Sequence, residues 1–136
     1  MKRLLALSVL LAVLLSSAAY GKVRDFGKFT VNVPKGWSAE QEGSKVTLMK
    51  GSMMMEIVLD SRGGRSLEAV AKEIAEMYGS RDLEDIEDDY IFTYVEDGIE
   101  GFGRVSIPKK GMYLLVLISP SDNEVMFDIE ESIRVK

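Results

Sequence analysis

From Phe29 to Val33 apolar residues alternate with Thr30 and Asn32, the period-two pattern of a strand with one buried face. Pro34 and Gly36 then turn the chain before Trp37. A second run containing Val46, Leu48 and Met49 meets Gly51-Ser52, and a third extends from Met53 to Leu59. These predict antiparallel strands joined by short turns. The segment Arg62-Gly63-Gly64-Arg65 breaks this pattern, and beyond it Leu67, Val70, Ala71, Ile74, Met77 and Tyr78 recur at three- and four-residue steps. That spacing predicts a helix with one stripe against a core. Ser66 is placed to accept a backbone N–H in its first turn, and Gly79 to end it in a left-handed conformation.

After an acidic stretch, Tyr90 to Val95 reads as a strand, Asp97-Gly98 as a hairpin turn and Phe102 to Ile107 as the returning strand, ended by Pro108. Met112 to Ile118 is apolar at nearly every position, as expected of a central strand covered on both faces. Ser121 with Glu124 has the form of a capping box, and Val125, Met126, Ile129 and Ile133 then share one helical face. A strand using Val125, Phe127 and Ile129 is the rival for that last element. The order of elements predicts an α+β fold: an antiparallel β-sheet with helices packed on both faces, an α/β/α sandwich.

The chain opens with Lys2 and Arg3, an apolar run from Leu4 to Leu15 and the small residues Ser16 to Ala19. Positive end, apolar middle and small-residue exit are the order of a secretory signal peptide, and the run is shorter than the roughly 20 residues needed to span a bilayer. Cleavage is expected after residue 19 or 21. Residues 22–136 then form a single domain, periplasmic or extracellular, with no stable membrane insertion after cleavage.

The stretch Phe29-Thr30-Val31-Asn32-Val33-Pro34-Lys35-Gly36-Trp37 resembles the opening of the PsbP-like families, named for an extrinsic subunit of photosystem II. The succeeding helix, hairpin, apolar strand and final helix ending near Ser132-Ile133 follow the same order. The resemblance implies a sandwich fold and a task of binding rather than catalysis, and no site residue is carried over from it.

Composition narrows the chemistry. The chain has neither cysteine nor histidine, which excludes disulfides, thiol or Ser-His-Asp nucleophiles and the usual zinc sites. Its formal charge of −5 grows two units more negative once Lys2 and Arg3 are removed, which argues against nucleic acid as a partner. The acidic residues Asp82, Glu84, Asp85, Glu87, Asp88 and Asp89 lack the order of an EF-hand and suit a solvated connection better than a calcium loop. Met49, Met53, Met54 and Met55 suggest copper, but alternation sends Met54 away from Met53 and Met55, so core packing accounts for them better. The most site-like local feature is Arg62, Gly63, Gly64, Arg65 and Ser66, where two cations and the first N–H groups of a helix would meet an anion. The expected function is therefore non-catalytic: an exported binding or accessory protein of the envelope, taking an envelope protein or a small ligand and needing no cofactor. A hydrolase using two converging carboxylates is the alternative.

Overall fold

The computed structural model describes residues 21–136. Apart from Gly21, the segment expected to direct export lies outside the described residues. Among the described residues no helix is long and apolar enough to cross a membrane.

Among the described residues ten strands and two helices follow one another as β1 (Lys22–Asp25), β2 (Phe29–Val33), β3 (Ser38–Glu42), β4 (Lys45–Lys50), β5 (Met53–Ser61), α1 (Leu67–Met77), β6 (Glu84–Ile86), β7 (Asp89–Glu96), β8 (Ile99–Ser106), β9 (Met112–Ser119), α2 (Glu124–Glu131) and β10 (Arg134–Val135). They build two antiparallel sheets, one of seven strands in the order β3-β4-β5-β9-β8-β7-β6 and one of three in the order β1-β2-β10.

The large sheet is buried on both faces, as the apolar run of β9 requires. Leu115 and Leu117 project into one core with Phe92, Tyr94 and Val105 and the α1 residues Leu67, Val70, Ala71, Ile74 and Ala75. Val116 and Ile118 project into the other, opposite Ile57 and Met55 of β5. That second core is closed by Phe29, Val31 and Val33 of β2 and by Met126 and Ile129 of α2.

The α/β/α sandwich expected from the sequence is corrected here. Strands hold 50% of the described residues and helices 16%. The face opposite α1 is covered chiefly by a second sheet, to which the eight-residue α2 adds two buried side chains. The physical reason is long-range pairing: β10 joins β2 through Arg134 opposite Thr30 and Val135 opposite Phe29, and β1 joins the other side of β2. Neither β1 nor β10 carries an apolar alternation, because each sits at an edge where backbone hydrogen bonds rather than buried side chains hold it.

The ends of α1 follow the sequence signals. Ser66 Oγ accepts the Ala69 N–H at 3.1 Å, and beyond the helix Ser80 N–H reaches Ala75 O at 2.9 Å with Gly79 at φ 69°. The start of α2 departs from the expected capping box. Asn123 is its N-cap, accepting from Val125 and Met126 at 3.0 and 3.3 Å, while Ser121 Oγ donates to Glu100 at 2.9 Å. Asn123, two residues nearer the helix, takes the role expected of Ser121, whose hydroxyl is engaged by Glu100, 21 residues upstream.

Candidate functional site

The five residues singled out in sequence, Arg62, Gly63, Gly64, Arg65 and Ser66, do lie together in the β5–α1 turn, but their polar groups are turned toward the chain itself. Arg62 Nε donates to Met112 O at 3.1 Å and its terminal nitrogen to Arg65 O at 3.0 Å. Arg65 donates to Arg62 O at 3.3 Å and pairs with Glu73. Gly63 N–H is taken by Ser61 Oγ at 3.0 Å, and Ser66 Oγ serves Ala69. The turn ties β5 and β9 to the start of α1, leaving its guanidinium groups engaged by internal acceptors.

The acidic run forms β6 and its tight turn into β7. Asp85, Glu87, Asp88 and Asp89 border a hollow with Leu67, Tyr90 and Ile107. Asp85, Glu87 and Asp88 are exposed, and Asp89 lies 3.6 Å from Arg104. Among the described residues no three carboxylates gather as a metal ion would need. The exposed Asp85, Glu87 and Asp88 offer no member kept protonated by burial, while Asp89 and the partly buried Glu130 are both paired with Arg104. Asp82 has a structural task. Its carboxylate accepts the Thr93 N–H at 2.8 Å, the Thr93 hydroxyl and the Ser80 hydroxyl at 2.9 Å, continuing the β7 edge where β6 stops. The Thr93 hydroxyl above all holds Asp82 below the ordinary aspartate range.

Of the methionines, Met55 is fully buried, Met53 packs against the same core, and Met54 stands on the opposite face facing Met49 across β4 and β5. Phe92 and Tyr94 are buried core residues, whereas Trp37 borders open space.

That space is a cleft of about 410 Å³ lined by Gly21, Lys22, Arg24, Val33, Pro34, Lys35, Gly36 and Trp37. Two local features build it. Pro34 to Trp37 is a turn closed by Trp37 N–H to Pro34 O at 3.2 Å, with Gly36 at φ 91° supplying the left-handed third position that this turn demands. Gly21 approaches the Pro34 backbone so closely that a Cβ there would fall 2.5 Å from Pro34 Cα, which brings the start of β1 against the turn.

Register then sets the lining. Lys22 is opposite Val33 and Arg24 opposite Val31, and directly opposite residues project to the same face. Val31 and Val33 point into the core, so Lys22 and Arg24 extend that inner face beyond the edge of the small sheet. The Lys50 side chain passes Gly36, with Nζ 3.7 Å from the position a Cβ would take there. Lys22, Arg24 and Lys35 thus line the cleft with Trp37, and Lys50 lies beside Gly36. Among the described residues none of the four pairs with a carboxylate. Arg24 instead lies 5.4 Å from the Phe26 ring centre. Inward cations on an edge strand also discourage strand addition, but that purpose accounts for neither Lys35 nor the indole between them. The sequence offered a trace of this site in the alternation Lys22-Val23-Arg24 and the cation inside Pro34-Lys35-Gly36-Trp37; only the β1–β2 register joins the two.

No family model matches the chain, and no curated protein matches it. Among solved structures it is similar to a protein of Bacteroides thetaiotaomicron VPI-5482, with 11% identity and a TM-score of 0.53 over 86% of this chain and 49% of that one. The chain spans about half the length of that neighbour. At this identity the likeness shows the fold alone.

Proposed function

We propose that this protein is an exported, non-catalytic binding protein whose ligand is a small organic anion seated in the cleft between β1 and the Pro34–Trp37 turn. The observation that carries this reading is the gathering of Lys22, Arg24 and Lys35, none paired with a carboxylate among the described residues, in one cleft with the only tryptophan of an acidic chain, with Lys50 beside Gly36 of the same turn. Elsewhere among the described residues Lys45, Arg65, Lys72, Arg104 and Lys136 each pair with an acidic group, while Lys28, Arg62, Arg81, Lys109, Lys110 and Arg134 do not, so convergence on one cleft is what sets the cleft cations apart. A volume of about 410 Å³ falls within the range of small-molecule pockets. The apolar wall of Val33, Pro34 and Trp37 gives a ligand body something to cover, and the cations supply orientation.

Calorimetric titration of 1-naphthyl phosphate into the protein processed after residue 19, which retains Gly21, tests this. One saturable site is expected, weakened about tenfold by the triple substitution Lys22→Gln, Arg24→Gln and Lys35→Gln, and weakened by salt as partly exposed charge pairs are. Binding unchanged by those substitutions, or no binding, overturns the assignment to this cleft.

A further inference from the structure

Resting on the reading just given, we infer that the organic anion is a single-chain amphiphile, an alkyl or acyl chain ending in one anionic group, rather than a compact hydrophilic anion. The lining is divided in the way such a molecule is divided. Val33, Pro34, Trp37 and the two glycines form an apolar wall continuous with the core between the sheets, since Val33 and Trp37 both pack into it. The cations reach the cleft on long aliphatic stems, Lys22 and Arg24 from β1 and Lys35 from the turn.

A compact anion such as inorganic phosphate is held by backbone N–H groups and short side chains converging in a small concavity. Here the N–H of Trp37 is spent on Pro34 O and is not offered to a ligand. Lysine and arginine stems instead lie along apolar surface and deliver charge at its margin. The complement to that arrangement is an anionic head at the margin with a hydrocarbon chain against the wall.

The carboxylate of a fatty acid and the phosphate of a lysolipid share this chemistry, and the two are separated by decanoate and decyl phosphate. Each is titrated below its critical micelle concentration into the protein processed after residue 19, with Trp37 fluorescence as the readout and far-UV circular dichroism confirming that the fold persists. Saturable one-to-one binding with a blue shift of Trp37 emission is expected for at least one of them, at least tenfold tighter than inorganic phosphate. Lys22→Gln with Arg24→Gln lowers that affinity about tenfold, while decyltrimethylammonium, with the same chain and the opposite charge, binds at least tenfold more weakly.

Equal affinity for inorganic phosphate, equal affinity for the cationic amphiphile, or response only to vesicles of anionic phospholipid overturns the inference. If 1-naphthyl phosphate binds while neither decyl compound does, the amphiphile assignment falls and the organic-anion reading stands. If none of the three binds, both fall.

Discussion

Phe92 and Gly103 face each other across β7 and β8, and the Phe92 ring stands over the glycine where a Cβ would be, well inside 3.0 Å of it. Tyr94 covers Gly101 in the same way two residues along. With Tyr78 of the α1 C-cap these rings form a cluster whose centroids lie 5.1 to 6.4 Å apart. The glycines of β8 therefore leave room for the large side chains of β7 to lie flat beneath α1. Gly103→Ala forces the ring out of a packed core and is expected to destabilise by about 1–3 kcal/mol in urea unfolding. Combining it with Phe92→Leu should recover part of the loss, because residues in contact couple. Additive losses would show that the ring and the glycine do not compete for this space.

Two carboxylates should shape the pH dependence in opposite senses. Asp82 is held below its ordinary 3.8 by its hydrogen bonds from Thr93 and Ser80, so its contribution is present above pH 3.8 and is lost as pH falls through the folded value. Asp82→Asn should flatten the acid limb of a stability profile, the effect being modest at so exposed a site. Glu130, only 13% exposed, is raised above 4.5 by burial although the Arg104 guanidinium at 2.9 Å pulls the other way. Its protonated form favours the fold, so stability declines as pH rises from 4.5 through the raised value, and Glu130→Gln should remove that decline. Profiles measured by thermal unfolding from pH 3 to 8 check both signs.

The β5–α1 turn separates a structural from a ligand-binding role for its arginines. Arg62→Ala removes the donors to Met112 O and Arg65 O and should cost about 1 kcal/mol of stability, within the range for an intramolecular hydrogen bond. The affinity of 1-naphthyl phosphate for the cleft should be unchanged in Arg62→Ala with Arg65→Ala. A tenfold loss there would move the anion site to this turn.

At the start of α2 the two nearby polar residues should behave differently. Asn123→Ala removes the acceptor for two orphan N–H groups and should cost about 1 kcal/mol, as N-cap deletions do. Ser121→Ala loses an exposed hydrogen bond to Glu100 and should cost less than half as much. Equal costs in chemical denaturation would restore Ser121 to a capping role.

The sequence by itself determined those parts whose information is local. The alternation of β2 and β5, the double-faced run of β9, the Asp97-Gly98 hairpin turn and both ends of α1 are each specified by neighbouring residues. Burial periodicity and turn chemistry act over spans of a few positions. Only the tertiary structure decided the second sheet, because β2 finds β10 more than a hundred residues away and the edge strands β1, β3 and β6 are polar segments recruited by an existing neighbour. It also decided where the cations matter. Arg62 and Arg65 stand together in sequence and face internal acceptors, whereas Lys22 and Arg24 come from one strand and Lys35 from a separate turn, and the three meet in the cleft with Trp37. A candidate site of that kind is set by the register of β1 on β2 and by the close approach of Gly21 to Pro34, relationships between segments that neither segment encodes alone.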